Sequence, residues 1–208
     1  MKPEPIPVDR ESEVQILATL GELMGSSMPF REVITIAMRF TSAMMGADGS
    51  SLLLLDRKDG NLSFYIVLGE KAEQLRNITL AQGEGIAGYV AATGVPMVVS
   101  DVNREHHFSK RVDHVTGFKT RSIACVPLRV RDELKGVIEV VSKRVGSFND
   151  KDLDMLTAIA GPVAIMIDHA RLIDEVKGLH EKLEKAGRVK AEFLATMTHE
   201  LRTPINIV

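Results

Sequence analysis

The sequence has no tryptophan, two tyrosines and one cysteine in 208 residues, and each scarcity removes a class of function. A lone cysteine, Cys125, forms no internal disulfide and builds no thiolate zinc cluster, which fits a reducing compartment. With so few large aromatic rings there is little for nucleobases to stack on. The 26 basic and 28 acidic residues leave a net charge of −2, so no basic field draws a phosphate backbone or an anionic membrane. Long apolar runs are missing as well. The longest, Ala158 to Ile167, is about half the ~20 residues that span a bilayer. The opening Met1-Lys2-Pro3-Glu4-Pro5-Ile6-Pro7 is too polar for a signal peptide. The expected location is cytoplasmic, with no nucleic-acid or membrane partner.

Against these absences stand 45% hydrophobic and 26% charged residues, enough apolar material for a packed core. At ~150 residues per domain the length implies one domain and an addition. Residues 1–10, rich in proline, read as an extended lead-in. Val14, Leu17, Leu20, Leu23 and Met24 recur at helical spacing and predict a helix over about 11–27. Pro29 suits a first helical position. Val33, Ile36, Ala37, Phe40 and Met44 follow at the same spacing, and Gly46 stands where a terminating glycine belongs.

The period then changes to two. Ser51 to Leu55 is one short apolar run; Leu62, Phe64, Ile66 and Leu68 alternate with Ser63, Tyr65 and Val67 in another. Asp59-Gly60-Asn61 joins them as a hairpin. A short helix framed by glycines covers Gly83 to Gly94, a strand covers Pro96 to Ser100, and Asp101 is placed to cap another short helix. Asn103 to Gly117, polar and rich in histidine, predicts a long, partly helical loop of the size that often carries function. Strands over Ile123–Val130 and Leu134–Lys143 follow, joined tightly by Arg131-Asp132-Glu133. From Asp150 the helical period returns. Helix, sheet, helix predicts an α+β domain with its helices on one face of the sheet.

Leu172, Val176, Leu179, Leu183, Ala186, Lys190, Phe193 and Met197 step by four and three residues, the seam of a coiled coil. Charged residues make up 13 of the 39 from 170 onward, so this helix buries only a stripe and needs a partner from another chain. The expectation is a parallel homodimer. Gly178 and Gly187 soften the coil by ~1 kcal/mol each against alanine. The helix at 11–27, through Leu17, Leu20 and Met24, is expected to extend the contact alongside Leu156, Ile159 and Val163.

The chain closes on Phe193-Leu194-Ala195-Thr196-Met197-Thr198-His199-Glu200-Leu201-Arg202-Thr203-Pro204. With Met197 on the seam, His199 points away from it. Its neutral imidazole is then available near pH 7, beside a carboxylate able to hydrogen-bond the other ring nitrogen. This string resembles the H-box of two-component sensor histidine kinases, the first helix of their dimerisation and phosphoacceptor domain. The resemblance implies that His199 accepts the γ-phosphoryl group of ATP, in the presence of Mg, and passes it to an aspartate of a response regulator. It gives Glu200 the part of the assisting acid, Thr203 that of orienting water in dephosphorylation, and Pro204 that of bending the helix. No nucleotide-binding boxes follow the histidine, so the expectation is a portion of a larger kinase that uses no ATP alone.

Gly83-Glu84-Gly85-Ile86-Ala87-Gly88 satisfies the dinucleotide pattern G-x-G-x-x-G, but the helix after it is too short and ends at Gly94-Val95-Pro96, against a nucleotide-binding crossover. Gly83 to Val99 with Asp101, Thr116 to Leu128, and Gly136 to Val141 together resemble GAF domains, small sensor modules. The likeness implies an antiparallel GAF-like sheet with helices over 11–170. A coiled-coil linker at 171–190 and a truncated phosphoacceptor helix at 191–208 complete the organisation.

GAF domains that bind cyclic nucleotides often carry an Asn-Lys…Phe-x-x-x-Asp-Glu signature. Ser142-Lys143, Phe148, Asp152 and Leu153 lack its Asn and Glu, leaving a structural Lys143–Asp152 ion pair as the expectation. Methionine sulfoxide reduction needs several cysteines, a bilin needs an accessible one, and haem needs an axial histidine. His106, His107 and His114 are the candidates in the domain body, and adjacent histidines in a polar loop read as solvated, so no metal is expected. Glu139, on a strand between Val137 and Val141, must be paired, solvated or facing a ligand. If it lines a pocket, the expected neighbours are the 103–120 loop, Ile86 and Val90 of the short helix, and Phe108 as a lid. The ligand's identity is not legible. The competing reading is a non-catalytic ligand-binding or dimerisation scaffold.

Overall fold

The computed structural model describes residues 28–69, 72–75 and 77–205, with residues 191–193 and 195–205 described by backbone alone. The predicted lead-in and the helix at 11–27 lie outside the described residues. Two compact units divide the chain, one ending at Asp168 and the other beginning at His169.

The first unit is built on six strands. They are β1 (Gly49–Leu55), β2 (Leu62–Leu68), β3 (Thr79–Leu80), β4 (Met97–Val99), β5 (Ser122–Val130) and β6 (Glu133–Ser142). Every pairing is antiparallel, in the order β3-β2-β1-β6-β5-β4. The helices are α1 (Phe30–Met44), α2 (Gly85–Thr93), α3 (Arg111–Thr116) and the long α4 (Asp150–Ile205).

The helices cover both faces of this sheet, not one. Val33, Ile34 and Met38 of α1 and Met155, Leu156, Ile159 and Val163 of α4 pack with Leu52, Ala124, Val126, Ile138 and Val140. On the opposite face Ile86, Ala87 and Val90 of α2 pack with Leu53, Phe64, Cys125 and Val137. The reason is written in the strands. Leu52-Leu53 and Ile123 to Val126 are buried without alternation, and a strand with apolar side chains on both faces needs both covered.

Two bulges redirect side chains that simple alternation would misplace. In β2, Leu52 pairs with Ile66 and Leu53 with Phe64, which leaves Tyr65 as the extra residue. Phe64 and Ile66, expected on one face, therefore enter opposite cores. In β6, Leu128 pairs with Gly136 and Arg129 with Leu134, so Lys135 is the extra residue. Its side chain, 3% exposed, donates to Glu133 Oε2 at 2.9 Å and pairs with Asp168 Oδ1 of α4 at 2.5 Å. A buried ammonium needs such partners.

The start of α4 is a reciprocal cap. Asn149 Oδ1 accepts from the Lys151 amide and Asp152 Oδ2 accepts from the Asn149 amide, each at 2.9 Å. This occupies Asp152, and the Lys143 ammonium instead lies 5.0 Å from the centroid of the Phe118 ring. The expected Lys143–Asp152 bridge is not formed: the acid caps the helix and the ammonium lies over the Phe118 ring. Leu156, Ile159 and Val163 are likewise unavailable to another chain, being at most 2% exposed against the sheet. By length and composition α4 could cross a membrane, but much of its apolar character belongs to this sheet-facing stripe.

In the second unit, Leu172, Val176, Leu179 and Leu183 are all more than half exposed. These four residues of the expected seam lie exposed on the helix surface.

Gly136 lies where β6 passes closest to β1, and a Cβ there would stand 2.0 Å from the Leu53 carbonyl oxygen. Gly136→Ala should cost roughly 3 kcal/mol or more in urea unfolding. At the β1–β2 turn, Gly60→Ala meets no atom within 4 Å but keeps a φ of +73° and should cost about 1 kcal/mol. Equal losses at the two sites would contradict the close approach.

Candidate ligand cavity

The glycine-rich turn before α2 is consumed by its own geometry. Gly83 and Gly85 have φ of 87° and 68°, the Gly88 carbonyl accepts from the Gly83 amide at 2.8 Å, and a Cβ on Gly88 would stand 2.4 Å from the Ala81 carbonyl oxygen. These glycines close a tight turn onto a nine-residue helix in an antiparallel sheet, which is not a dinucleotide cradle.

Beside that turn, between the second face of the sheet and the 101–120 segment, is a cavity of about 100 Å³. One water needs only ~10–15 Å³ on this measure, so there is room for a small molecule. Glu139, Phe108 and Ile86 line it as expected. Val90 does not. It is fully buried between α2 and the sheet, one helical turn beyond Ile86. Sequence reasoning missed Asp113 and Thr120, which also line the cavity. Asp113 sits in the stretch without a period and Thr120 just beyond it, in the same 103–120 loop, where no pattern marks which polar residues turn inward.

The covering segment is tied down at several points. Arg111 donates from Nη1 to Glu84 Oε1 at 2.8 Å and to the Thr79 carbonyl at 3.2 Å. The guanidinium holds the Glu84 carboxyl below the usual range. Asp113 accepts from the Thr120 amide at 2.9 Å and from Thr120 Oγ1 at 2.6 Å. His107 Nδ1 lies 2.7 Å from Glu105 Oε1, and its ring centroid is 4.0 Å from that of Tyr89. His106, His107 and His114 are exposed. Among the described residues no three His, Cys, Asp or Glu side chains are grouped to hold a metal.

Glu139, half-buried, occupies the floor. In register it stands between Ser51 of β1 and Cys125 of β5. Burial pushes its carboxyl from the ordinary 4.5 up to about 7; the Ser51 hydroxyl opposes the shift and the Asp113 carboxylate adds to it. Burial, reinforced by the charge of Glu139, raises the Cys125 thiol well above its ordinary value, so Cys125 is a small core residue and not a nucleophile. His199, Glu200 and Thr203 all lie within α4, which continues through Pro204 to Ile205.

Comparison with known proteins agrees with this architecture. Residues 29–167 match the family model of the GAF domain. A probable 3',5'-cyclic phosphodiesterase, pde-5 of Caenorhabditis elegans, is 31% identical over 172 residues, 78% of this chain and 23% of that protein. Hybrid signal transduction histidine kinase G of Dictyostelium discoideum is 29% identical over 126 residues, 57% of this chain and 4% of that protein. The chain therefore spans less than a quarter of either. Among solved structures, the GAF domain from a phosphoenolpyruvate-protein phosphotransferase of Coxiella burnetii superposes with a TM-score of 0.71 at 19% identity, covering 81% of this chain and 99% of that one. Free methionine-R-sulfoxide reductase from Neisseria meningitidis gives 0.67 at 17%, covering 83% and 99%.

The raised acid makes a testable pH dependence. Folded Glu139 keeps its proton to about pH 7 and the unfolded chain to about 4.5, so stability falls as pH rises between these values and levels off above them. Asp113 on α3 and Cys125 on β5 are the titratable groups facing it. Glu139→Gln cannot ionise, and its stability relative to wild type should rise by about 2 kcal/mol from pH 5 to pH 8 in urea unfolding. Parallel pH profiles would contradict the burial of this carboxyl.

Proposed function

The chain belongs to the GAF domain family, and from that premise we propose that it is the sensing and dimerising region of a longer, cytoplasmic two-component sensor histidine kinase. The observation that carries the proposal is continuity. The helix that completes the GAF core is the same α4 that bears His199, within a string resembling the phosphoacceptor H-box. The likeness to a hybrid histidine kinase supports the same reading.

In this reading the cavity receives a small-molecule signal and α4 transmits it through a parallel homodimer. His199 Nε2 attacks the γ-phosphorus of Mg-bound ATP held by a separate nucleotide-binding domain, with ADP as the leaving group. The phosphoryl group then moves to an aspartate of a response regulator. Glu200 hydrogen-bonds the other imidazole nitrogen and takes up the proton, and Thr203 orients water when the regulator is dephosphorylated. The exposed Leu172, Val176, Leu179 and Leu183 give the dimer its seam.

A second reading, a cyclic-nucleotide-binding GAF domain or non-catalytic scaffold, draws on the likeness to a cyclic phosphodiesterase. The parent reading frame separates them: a nucleotide-binding domain downstream of His199 favours the kinase, and a stop at Val208 favours the scaffold.

The full parent protein should autophosphorylate, and His199→Gln should abolish the label, while the 208-residue chain given ATP should take up none. Undiminished labelling of the variant, or labelling of the isolated chain, would overturn the assignment. For the dimer, single cysteines at Val176 or Leu183 in a Cys125→Ser background should form same-position disulfides efficiently. A monomer in sedimentation at tens of micromolar would refute the parallel seam.

A further inference from the structure

We propose that the cavity takes a small, largely apolar molecule carrying a protonated amine or amidine, seated with its cation on the Glu139 carboxylate. This rests on the reading of the cavity as a ligand pocket and adds the chemical class of what enters it.

The lining is asymmetric in charge. An acid stands on the floor, Glu139, and a second on the cover, Asp113, while no lysine, arginine or histidine lines the cavity among the described residues. The two acids are not equivalent. Asp113 spends its carboxylate on the Thr120 amide and hydroxyl, whereas the side chain facing Glu139 from β1 is the Ser51 hydroxyl and the one facing it from β5 is the buried Cys125 thiol.

Glu139 cannot escape this position. It is on an interior strand paired on both sides, so its side chain has only the cavity to enter. A carboxylate with no cation beside it in such a place costs free energy that a ligand cation would recover. A phosphate entering the same space would face two carboxylates, which is repulsive at close range. Hydroxyl side chains such as Ser51 and Ser109 also line the cavity, but the larger walls, Ile86, Phe108, Phe118, Ile123 and Val141, favour an apolar or aromatic body for the rest of the molecule.

The test uses the whole 208-residue chain with labelled isoleucine and valine methyls. Shifts at Ile86, Ile123 and Val141 are followed while phenethylamine, its neutral isostere phenethyl alcohol, phenylacetate or cyclic GMP is added at pH 7.5. The amine should bind about fivefold or more tightly than the alcohol and the acid, and its advantage should vanish in Glu139→Gln and shrink at pH 6, where Glu139 is largely protonated. The comparison among probes on the wild-type chain stands even if the variant folds poorly. Phenylacetate or cyclic GMP matching the amine at these methyls, or the alcohol equalling it, would overturn the cationic class and leave a ligand pocket standing. No shift with any probe would remove both.

Discussion

From Gly136 to Val141 strand β6 is paired by β1 on one side and β5 on the other, so each side chain there must be accommodated above or below the sheet. That confinement organises the rest of the first unit. Ile138 and Val140 enter the core beneath α1 and α4, Val137 the core beneath α2, and Gly136 has no side chain because β1 leaves no space for one. Glu139, a charged residue in this interior row, can be tolerated only because the face it points to is not fully packed. The cavity and the perturbed carboxyl are therefore two aspects of one packing arrangement.

The same strand reaches α4. Four residues before Glu139, the bulge at Lys135 turns a buried ammonium toward Asp168, the last residue of the first unit. Removing Asp168 would leave the buried Lys135 ammonium with Glu133 as its remaining partner among the described residues, which is costly for a charge held out of water. β6 thus lines the cavity through Glu139 and Val141 and meets α4 through Lys135, Ile138 and Val140.

Much of this was legible in the sequence because the signals were local and strongly periodic. The alternation around Leu62–Leu68, the Asp59-Gly60-Asn61 turn and the glycine-framed α2 each announce themselves within about a dozen residues. Glu139 stood out as an acid between valines, and Ile86 and Phe108 followed from the order of the elements. Failures came where a single inserted residue or a competing hydrogen bond decided the outcome. Phe64 and Ile66 are split between the two cores by the Tyr65 bulge, Asp152 is taken by the cap of α4, and Val90 turns from cavity to core within one helical turn. Asp113 and Thr120 gave no signal, since which polar loop residues face inward depends on closure of the segment over the sheet. The reach of α4 was sensed from its heptads, but the division of its apolar residues between sheet and surface, with Leu156, Ile159 and Val163 all inward, required the fold.

The most direct measurement of the central claim is the ionisation of Glu139 itself, followed by the carboxyl carbon resonance of the labelled residue across pH. A midpoint near 7, as burial at the cavity floor predicts, would support a confined carboxyl with no cation beside it among the described residues. A midpoint near the ordinary 4.5 would mean that solvent or an internal partner already satisfies it, contradicting the role given to this residue.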